Sequence, residues 1–162
     1  MNKTIVVTGT PGTGKTTIAK ELSVVLGYKY LDIDKVIAGH DLSEGYDKER
    51  QCSIVDTAKL VPVLEKIIRH STKDIVVDGH LSHFLPKDYV ALCIVAKCNL
   101  KILKERLEKL YPEKKIKENL DAEIFDICFE EAKEQGHKIL IVDTSDKPVN
   151  EIIDKIRAKI AI

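Results

Sequence analysis

Gly9-Thr-Pro-Gly-Thr-Gly-Lys-Thr16 carries the spacing GxxxxGK followed by Thr, a pattern whose chemistry is phosphate binding. Gly12 and Gly14 let the backbone take positive φ and approach closely, so that successive N–H groups turn toward an anion. A helix opening near Gly14 adds the positive end of its dipole. Lys15 brings a mobile ammonium to the β- and γ-phosphates of a nucleoside triphosphate, and the Thr16 hydroxyl is placed for Mg²⁺. Thr17 reaches toward an α-phosphate oxygen. A loop of this kind needs a second carboxylate for the metal at the end of a neighbouring apolar strand, and Ile75-Val-Val-Asp78 supplies Asp78. His80, two residues on, falls on the same sheet edge, where it orients a water or contacts the γ-phosphate. The His80-Leu-Ser-His83 spacing lacks a third ligand, which argues against a metal pair.

The elements that must position these groups follow from the hydrophobic pattern. Lys3 to Thr8 is a β-branched run ending at a glycine, a strand followed by a tight turn. Ile18, Leu22, Val25 and Leu26 recur at helical spacing until Gly27. Tyr28 to Ile33 reads as a second strand. Asp34 to Val55 is polar and irregular, with a short helix possible at Asp34 to Ala38. Asp56 caps a helix to about His70, with Pro62 delaying its start or kinking it. Ile75 to Asp78 and Tyr89 to Ala96 are continuous apolar runs, as expected of strands covered on both faces. Asn99 to Leu110 forms a Lys/Glu-rich helix, and Tyr111-Pro112 interrupts it. A further helix carries Ile116, Leu120, Ile124, Ile127, Cys128 and Phe129 and ends near Gly136. Ile139 to Val142 is the fifth strand, and Val149 to Ile160 a closing amphipathic helix. Alternating strands and helices predict an α/β domain, a five-stranded parallel sheet with helices on both faces.

At 162 residues and 44% hydrophobic, the chain suits one domain over residues 1–162. Its 26 basic residues balance 26 acidic ones, so bulk charge gives no support to direct nucleic-acid binding. The longest apolar stretch, Tyr89 to Ala96, is far short of the roughly 20 residues that span a bilayer, and the expectation is a cytoplasmic protein without a membrane partner. Cys52, Cys93, Cys98 and Cys128 show no CxxC pair and read as reduced, mostly buried side chains. Residues 97–117 hold eight basic and three acidic side chains, whereas residues 118–135 hold one basic and seven acidic. The contrast fits either two mutually paired helix faces or a basic flap approaching a polyanion.

Together, residues 9–17, Glu44-Gly-Tyr-Asp47, Val77-Asp78-Gly-His80, Arg106-Leu107 and Glu113-Lys-Lys-Ile-Lys-Glu-Asn119 followed by Ala122-Glu-Ile-Phe125 resemble the archaeal and nuclear adenylate kinase-like family, also described as a small-subunit ribosome assembly factor. The resemblance covers roughly residues 3–145. It implies a three-layer P-loop NTPase fold of the nucleoside monophosphate kinase type, with a monophosphate-binding excursion at about 32–55 and a short lid at about 108–118. It also implies ATP with Mg²⁺ as donor, AMP or another nucleoside monophosphate as acceptor, ATP hydrolysis, and binding to a platform protein of the small ribosomal subunit. The competing expectation is an assembly-factor ATPase with little AMP kinase activity, in which His80 helps water attack.

Only four residues are arginine: Arg50, Arg69, Arg106 and Arg157. Under the resemblance, Arg106 stabilises the transferring phosphoryl group and Arg50 is a weaker candidate for the acceptor phosphate. Arg69 and Arg157 read as surface charges. The family's lid usually reads Arg-Gly-Tyr, where this chain has Lys109-Leu110-Tyr111, and the excursion's first helix often carries arginine where this chain has Ala38. Lys109 then substitutes as a point charge without the bidentate fork. The adenine ring is expected against residues 144–148.

Overall fold

The computed structural model describes residues 3–48 and 52–161. Its core is a parallel sheet in the order β2-β5-β1-β6-β7, built from β1 (Thr4–Gly9), β2 (Lys29–Asp32), β5 (Ile75–Asp78), β6 (Leu92–Lys97) and β7 (Ile139–Asp143). Helices cover both faces because β1, β5 and β6 are apolar on both sides. On one face Ile5, Val7, Val76 and Ile94 pack against Ile18, Ala19 and Leu22 of α1 (Lys15–Leu26) and Ile152, Ile153 and Ile156 of α7 (Val149–Ile160). On the other, Val6, Val77, Cys93 and Val95 meet α2 (Ile33–Gly39), α3 (Thr57–His70) and Ala132 of α6 (Ile127–Glu134). Three layers result, as the sequence predicts.

The central strand β1 leads into the glycine loop. The chain then builds outward to β2 on one side and later to β6 and β7 on the other. The carboxyl ends of the strands therefore open a crevice at β1, where open α/β sheets bind ligands. Register places Asp32 of β2 beside Asp78 of β5.

Three boundaries differ from the sequence reading, and the Asp56-capped helix to His70 agrees with it. The excursion is not irregular throughout: after α2 it forms an antiparallel hairpin, β3 (Ser43–Asp47) with β4 (Cys52–Val55). Every described position of β3 but its last is exposed, so no apolar alternation marks it. The sixth strand starts at Leu92, because Lys87–Tyr89 close a 3₁₀ turn. The helix expected through Phe129 is two, α5 (Glu113–Ile124) and α6, broken where Asp126 takes a left-handed φ of 52°. Pro62 lies inside α3 without delaying its start, since Asp56 caps the Ala58 N–H at 2.9 Å. Between β6 and α5, α4 (Leu100–Glu108) buries Leu103 and Leu107 in a small cluster with Cys98, against Tyr111, Ile116 and Leu120.

Cys93 and Cys98 are buried and Cys128 is partly buried, all three as free thiols. Arg50 and the Cys52 side chain lie outside the described residues. Among the described residues, no helix is long and apolar enough to cross a membrane.

Candidate active site

The glycine loop joins the buried end of β1 to α1, which opens at Gly14 (φ 84°, ψ 18°) without a side-chain cap. Left uncapped, a helix's first amides and its dipole favour an anion. Gly12 has φ 89°, and a Cβ there would stand 2.9 Å from Leu107 Cδ2. Position 12 thus requires glycine for both its conformation and its packing against α4. Thr13 folds the turn back onto the Thr10 carbonyl through its N–H and its hydroxyl, at 3.2 and 2.7 Å.

The loop is held from behind by a buried carboxylate. Glu123, on the last turn of α5 and 6% exposed, accepts from the Thr10 hydroxyl at 3.1 Å, Lys97 Nζ at 3.1 Å and the Cys98 N–H at 2.8 Å. Lys97 also pairs with Asp126. Burial alone would lower the Lys97 pKa, but hydrogen bonds to Asp126 and Glu123 outweigh it and raise it. Of the basic stretch, Lys97 at the end of β6 meets the acidic one here, through Glu123 and Asp126.

In front of the loop, Thr16 Oγ1 donates to Asp78 Oδ2 at 2.8 Å, and the Tyr30 hydroxyl donates to the same oxygen at 2.6 Å. Asp78 is 3% exposed, and its Oδ1 is buried without a partner. An orphaned carboxylate oxygen beside a threonine hydroxyl is a hard-oxygen donor set of the kind Mg²⁺ takes, with water and phosphate oxygens completing the octahedron. The residues present therefore fit the ion. Among the described residues, no cluster of three or more His, Cys, Asp or Glu could hold a metal by itself. Burial lowers the Lys15 pKa, and the Asp78 charge works against that. Tyr30 is shifted up by burial and by the Asp78 bond, which keeps it a donor.

His80 opens onto the crevice. Its surface is exposed, but surrounding protein, together with Lys15 and Lys115, pulls its pKa down to about 4, so the imidazole is neutral at pH 7. His83 is not its partner: it is 1% exposed, with Nδ1 2.7 Å from Thr8 Oγ1 and Nε2 3.2 Å from Glu131 Oε1. Burial first, then His80 and His137, bring its pKa to about 4. Neutral His83 donates from Nε2 and accepts the Thr8 proton at Nδ1.

Two cavities meet at the loop. One, about 410 Å³, is lined by Gly12, Gly14, Lys15, Thr16, Arg106 and Lys109. The other, about 690 Å³, shares Lys15 and Thr16 and adds Asp34, Asp78, His80 and Lys115 among others. Arg106 lies on the side of the first: its guanidinium donates to Gly12 O at 3.3 Å and Thr144 O at 2.8 Å. It thus ties the glycine loop to the segment after β7 where the adenine was expected. Thr17 faces a separate groove with Lys20, Glu21, Val149 and Asn150.

Comparison with known proteins places this arrangement. A family profile described as an AAA domain matches residues 5–126. The chain is 42% identical over 153 residues to a protein named "Putative adenylate kinase" from Methanocaldococcus jannaschii, covering 94% of this chain and 82% of that one. It is 33% identical over 159 residues to "Adenylate kinase isoenzyme 6 homolog FAP7" from Saccharomyces cerevisiae, covering 97% and 80%. The chain belongs to this adenylate kinase-like family. The shikimate kinase from Acinetobacter baumannii, in complex with shikimate, superposes with a TM-score of 0.68 over 99% of this chain and 94% of that one, at 17% identity. The Aquifex aeolicus shikimate kinase gives 0.64 at 18% identity, covering 98% and 96%. These two show the P-loop kinase fold.

For this adenylate kinase-like chain, the structure brings Lys15, Thr16, Asp78 and His80 to one cleft and sets Arg106 and Lys109 in the adjoining cavity that shares Lys15 and Thr16. Sequence reasoning missed Tyr30, Asp34, Lys115 and Glu123. Asp32-x-Asp34 at the end of the second strand was the available signal for an acidic sheet edge. Nothing in local spacing marks Glu123, which meets the loop 113 positions away.

Proposed function

We propose that the protein is an adenylate kinase-type nucleoside monophosphate kinase that transfers the γ-phosphoryl group of ATP to AMP. The observation that carries this reading is the seam at Lys15 and Thr16, the two residues shared by a cavity lined by the glycine loop and Arg106 and a larger one lined by Asp78 and the excursion. ATP lies on the Arg106 side, with its phosphates among the Gly12 to Thr17 amides. The monophosphate lies in the larger cleft, between the excursion at about 32–55 and the lid at about 108–118. Lys15 follows the oxygens of the moving group, while the amides of α1 receive developing negative charge without rearranging. Thr16 and Asp78 hold Mg²⁺, which when bound neutralises phosphate charge. Asp78 stays fixed because Thr16 and Tyr30 both donate to one of its oxygens. Closure of the lid excludes water, so that the acceptor is phosphate rather than solvent.

One observation favours a second activity. Ala38 lines the cleft where the family often has arginine, and neutral His80 faces it, so water can compete for the γ-phosphate with His80 orienting it. Slow ATP hydrolysis accompanies transfer, and through it a role in small-subunit ribosome assembly, with a platform protein as partner, belongs to the same proposal. Coupled ADP production decides between the two: strict dependence on AMP supports the kinase. Phosphate release that needs no AMP and collapses in His80→Ala makes hydrolysis the main reaction.

A further inference from the structure

We propose that Tyr30 is the positioning residue of the divalent-cation site: its hydroxyl fixes the Asp78 carboxylate so that Oδ1 is kept for the cation or for a water bound to it. The inference deepens the kinase reading above and rests on it, because it takes Thr16 and Asp78 as the side chains that hold Mg²⁺. An aspartate turns easily about its terminal torsion and can offer either oxygen to a ligand. Here the two oxygens are not equivalent. Oδ2 accepts from Thr16 Oγ1 at 2.8 Å and from the Tyr30 hydroxyl at 2.6 Å, whereas Oδ1 is buried without a partner. Two donors fill the lone pairs of one oxygen, and the other is a buried acceptor whose cost is relieved when a ligand completes it.

The two donors come from different elements and differ in what else they do. Thr16 is the second residue of α1, and its oxygen also serves the cation, so its bond to Asp78 is shared with that duty. Tyr30 lies on the edge strand β2, in register beside Val76, and its bond to Asp78 does not involve the cation. A single donor leaves a carboxylate free to swing about that one bond, while a second donor from another element fixes its plane. The Tyr30 ring is suited to this task because it packs against the apolar cluster between the sheet, α1 and α7, with Lys20 Nζ 5.7 Å from its centroid. A packed ring has only two torsions to fix, so its hydroxyl is delivered to one place. Bonds of this kind orient the ligand they touch, and losing one lowers metal affinity by about 10- to 100-fold.

The test is calorimetric titration of full-length wild type and Tyr30→Phe with β,γ-imido-ATP, in Mg²⁺ and in EDTA, with melting curves recorded alongside. Tyr30→Phe keeps the packed ring and removes only the hydroxyl. It is expected to cut the factor by which Mg²⁺ tightens the nucleotide by roughly tenfold. Affinity in EDTA should stay within about twofold, and the melting temperature within about 4 °C, of wild type. The Mg²⁺ concentration that half-saturates ADP formation should rise by a similar factor, with kcat largely recovered at saturating Mg²⁺. An equal loss in Mg²⁺ and in EDTA means that Tyr30 merely supports the loop, and overturns the assignment. A Mg²⁺ factor within about twofold of wild type means that Thr16 suffices to hold the carboxylate, and overturns it too; both outcomes leave the kinase reading intact. Wild type that binds the nucleotide alike with and without Mg²⁺ overturns the cation site on which the kinase reading depends, and Tyr30 with it.

Discussion

The two halves of the cleft are built differently. On the side proposed for the donor, the glycine loop is tied to Glu123 through the Thr10 hydroxyl and to Thr144 through the Thr13 carbonyl, and Thr13 closes it onto the Thr10 carbonyl. On the side proposed for the acceptor, the walls are short α2, the β3–β4 hairpin and the first turn of α5. Tyr46 and Ile54 of the hairpin are 59% and 50% exposed, and the hairpin ladder shifts register between Ser43 and Gly45. A site that binds a highly charged polyphosphate gains from donors fixed in advance, because no reorganisation opposes the reaction. A wall that must admit one substrate and then close over it gains from shallow packing and few crosslinks.

Variants on each side can break or sharpen that contrast. Lys15→Ala should cost the most, roughly a thousandfold in turnover, with no loss of melting temperature, because burial already disfavours its charged form. Turnover near wild type would remove the donor side from the account. Glu123→Ala should cost about 3 kcal/mol of unfolding free energy, since it leaves the Thr10 hydroxyl and the Cys98 N–H without their carboxylate. A denaturant midpoint equal to wild type would show that the donor loop is not anchored from α5.

His83 gives the contrast a pH signature. Its pKa falls from an ordinary 6.5 to about 4 in the fold. The stability this neutral, buried ring contributes is therefore complete above about pH 6.5 and lost as pH drops through about 4, a change of about 3 kcal/mol. Urea titrations of wild type and His83→Asn between these limits should differ in slope, and parallel slopes would refute it. The smallest effect belongs to the acceptor wall: Tyr46→Ala should change stability by less than about 0.5 kcal/mol and raise KM for AMP alone. An equal rise in KM for ATP would mean that the two cavities are not separate sites.

How much of this was legible in the sequence follows the same division. Contiguous apolar strands and a glycine loop signal themselves locally, so the sheet, α1, Lys15, Thr16 and Asp78 could be read from spacing. The hairpin could not, because Ser-Glu-Gly-Tyr-Asp carries no buried face. The break between α5 and α6 was hidden because apolar spacing continues through Ile124, Ile127 and Cys128, while the left-handed turn falls on Asp126, a residue without a glycine's signal. Glu123 reaches Thr10, and Tyr30 reaches Asp78, across 113 and 48 positions of sequence. Such contacts exist only once the sheet has assembled. Arg106 was marked by its type alone, and the structure sets it beside the glycine loop, bonded to the Gly12 and Thr144 carbonyls.

The most direct test of a shared phosphate seam is a calorimetric titration of the full chain with a dinucleoside pentaphosphate carrying adenosine at both ends, with and without Mg²⁺. The account predicts one equivalent bound per chain, more tightly with Mg²⁺, in competition with both ATP and AMP and abolished by Lys15→Ala. Uptake that ignores Mg²⁺, or that displaces ATP while leaving AMP binding untouched, would contradict it.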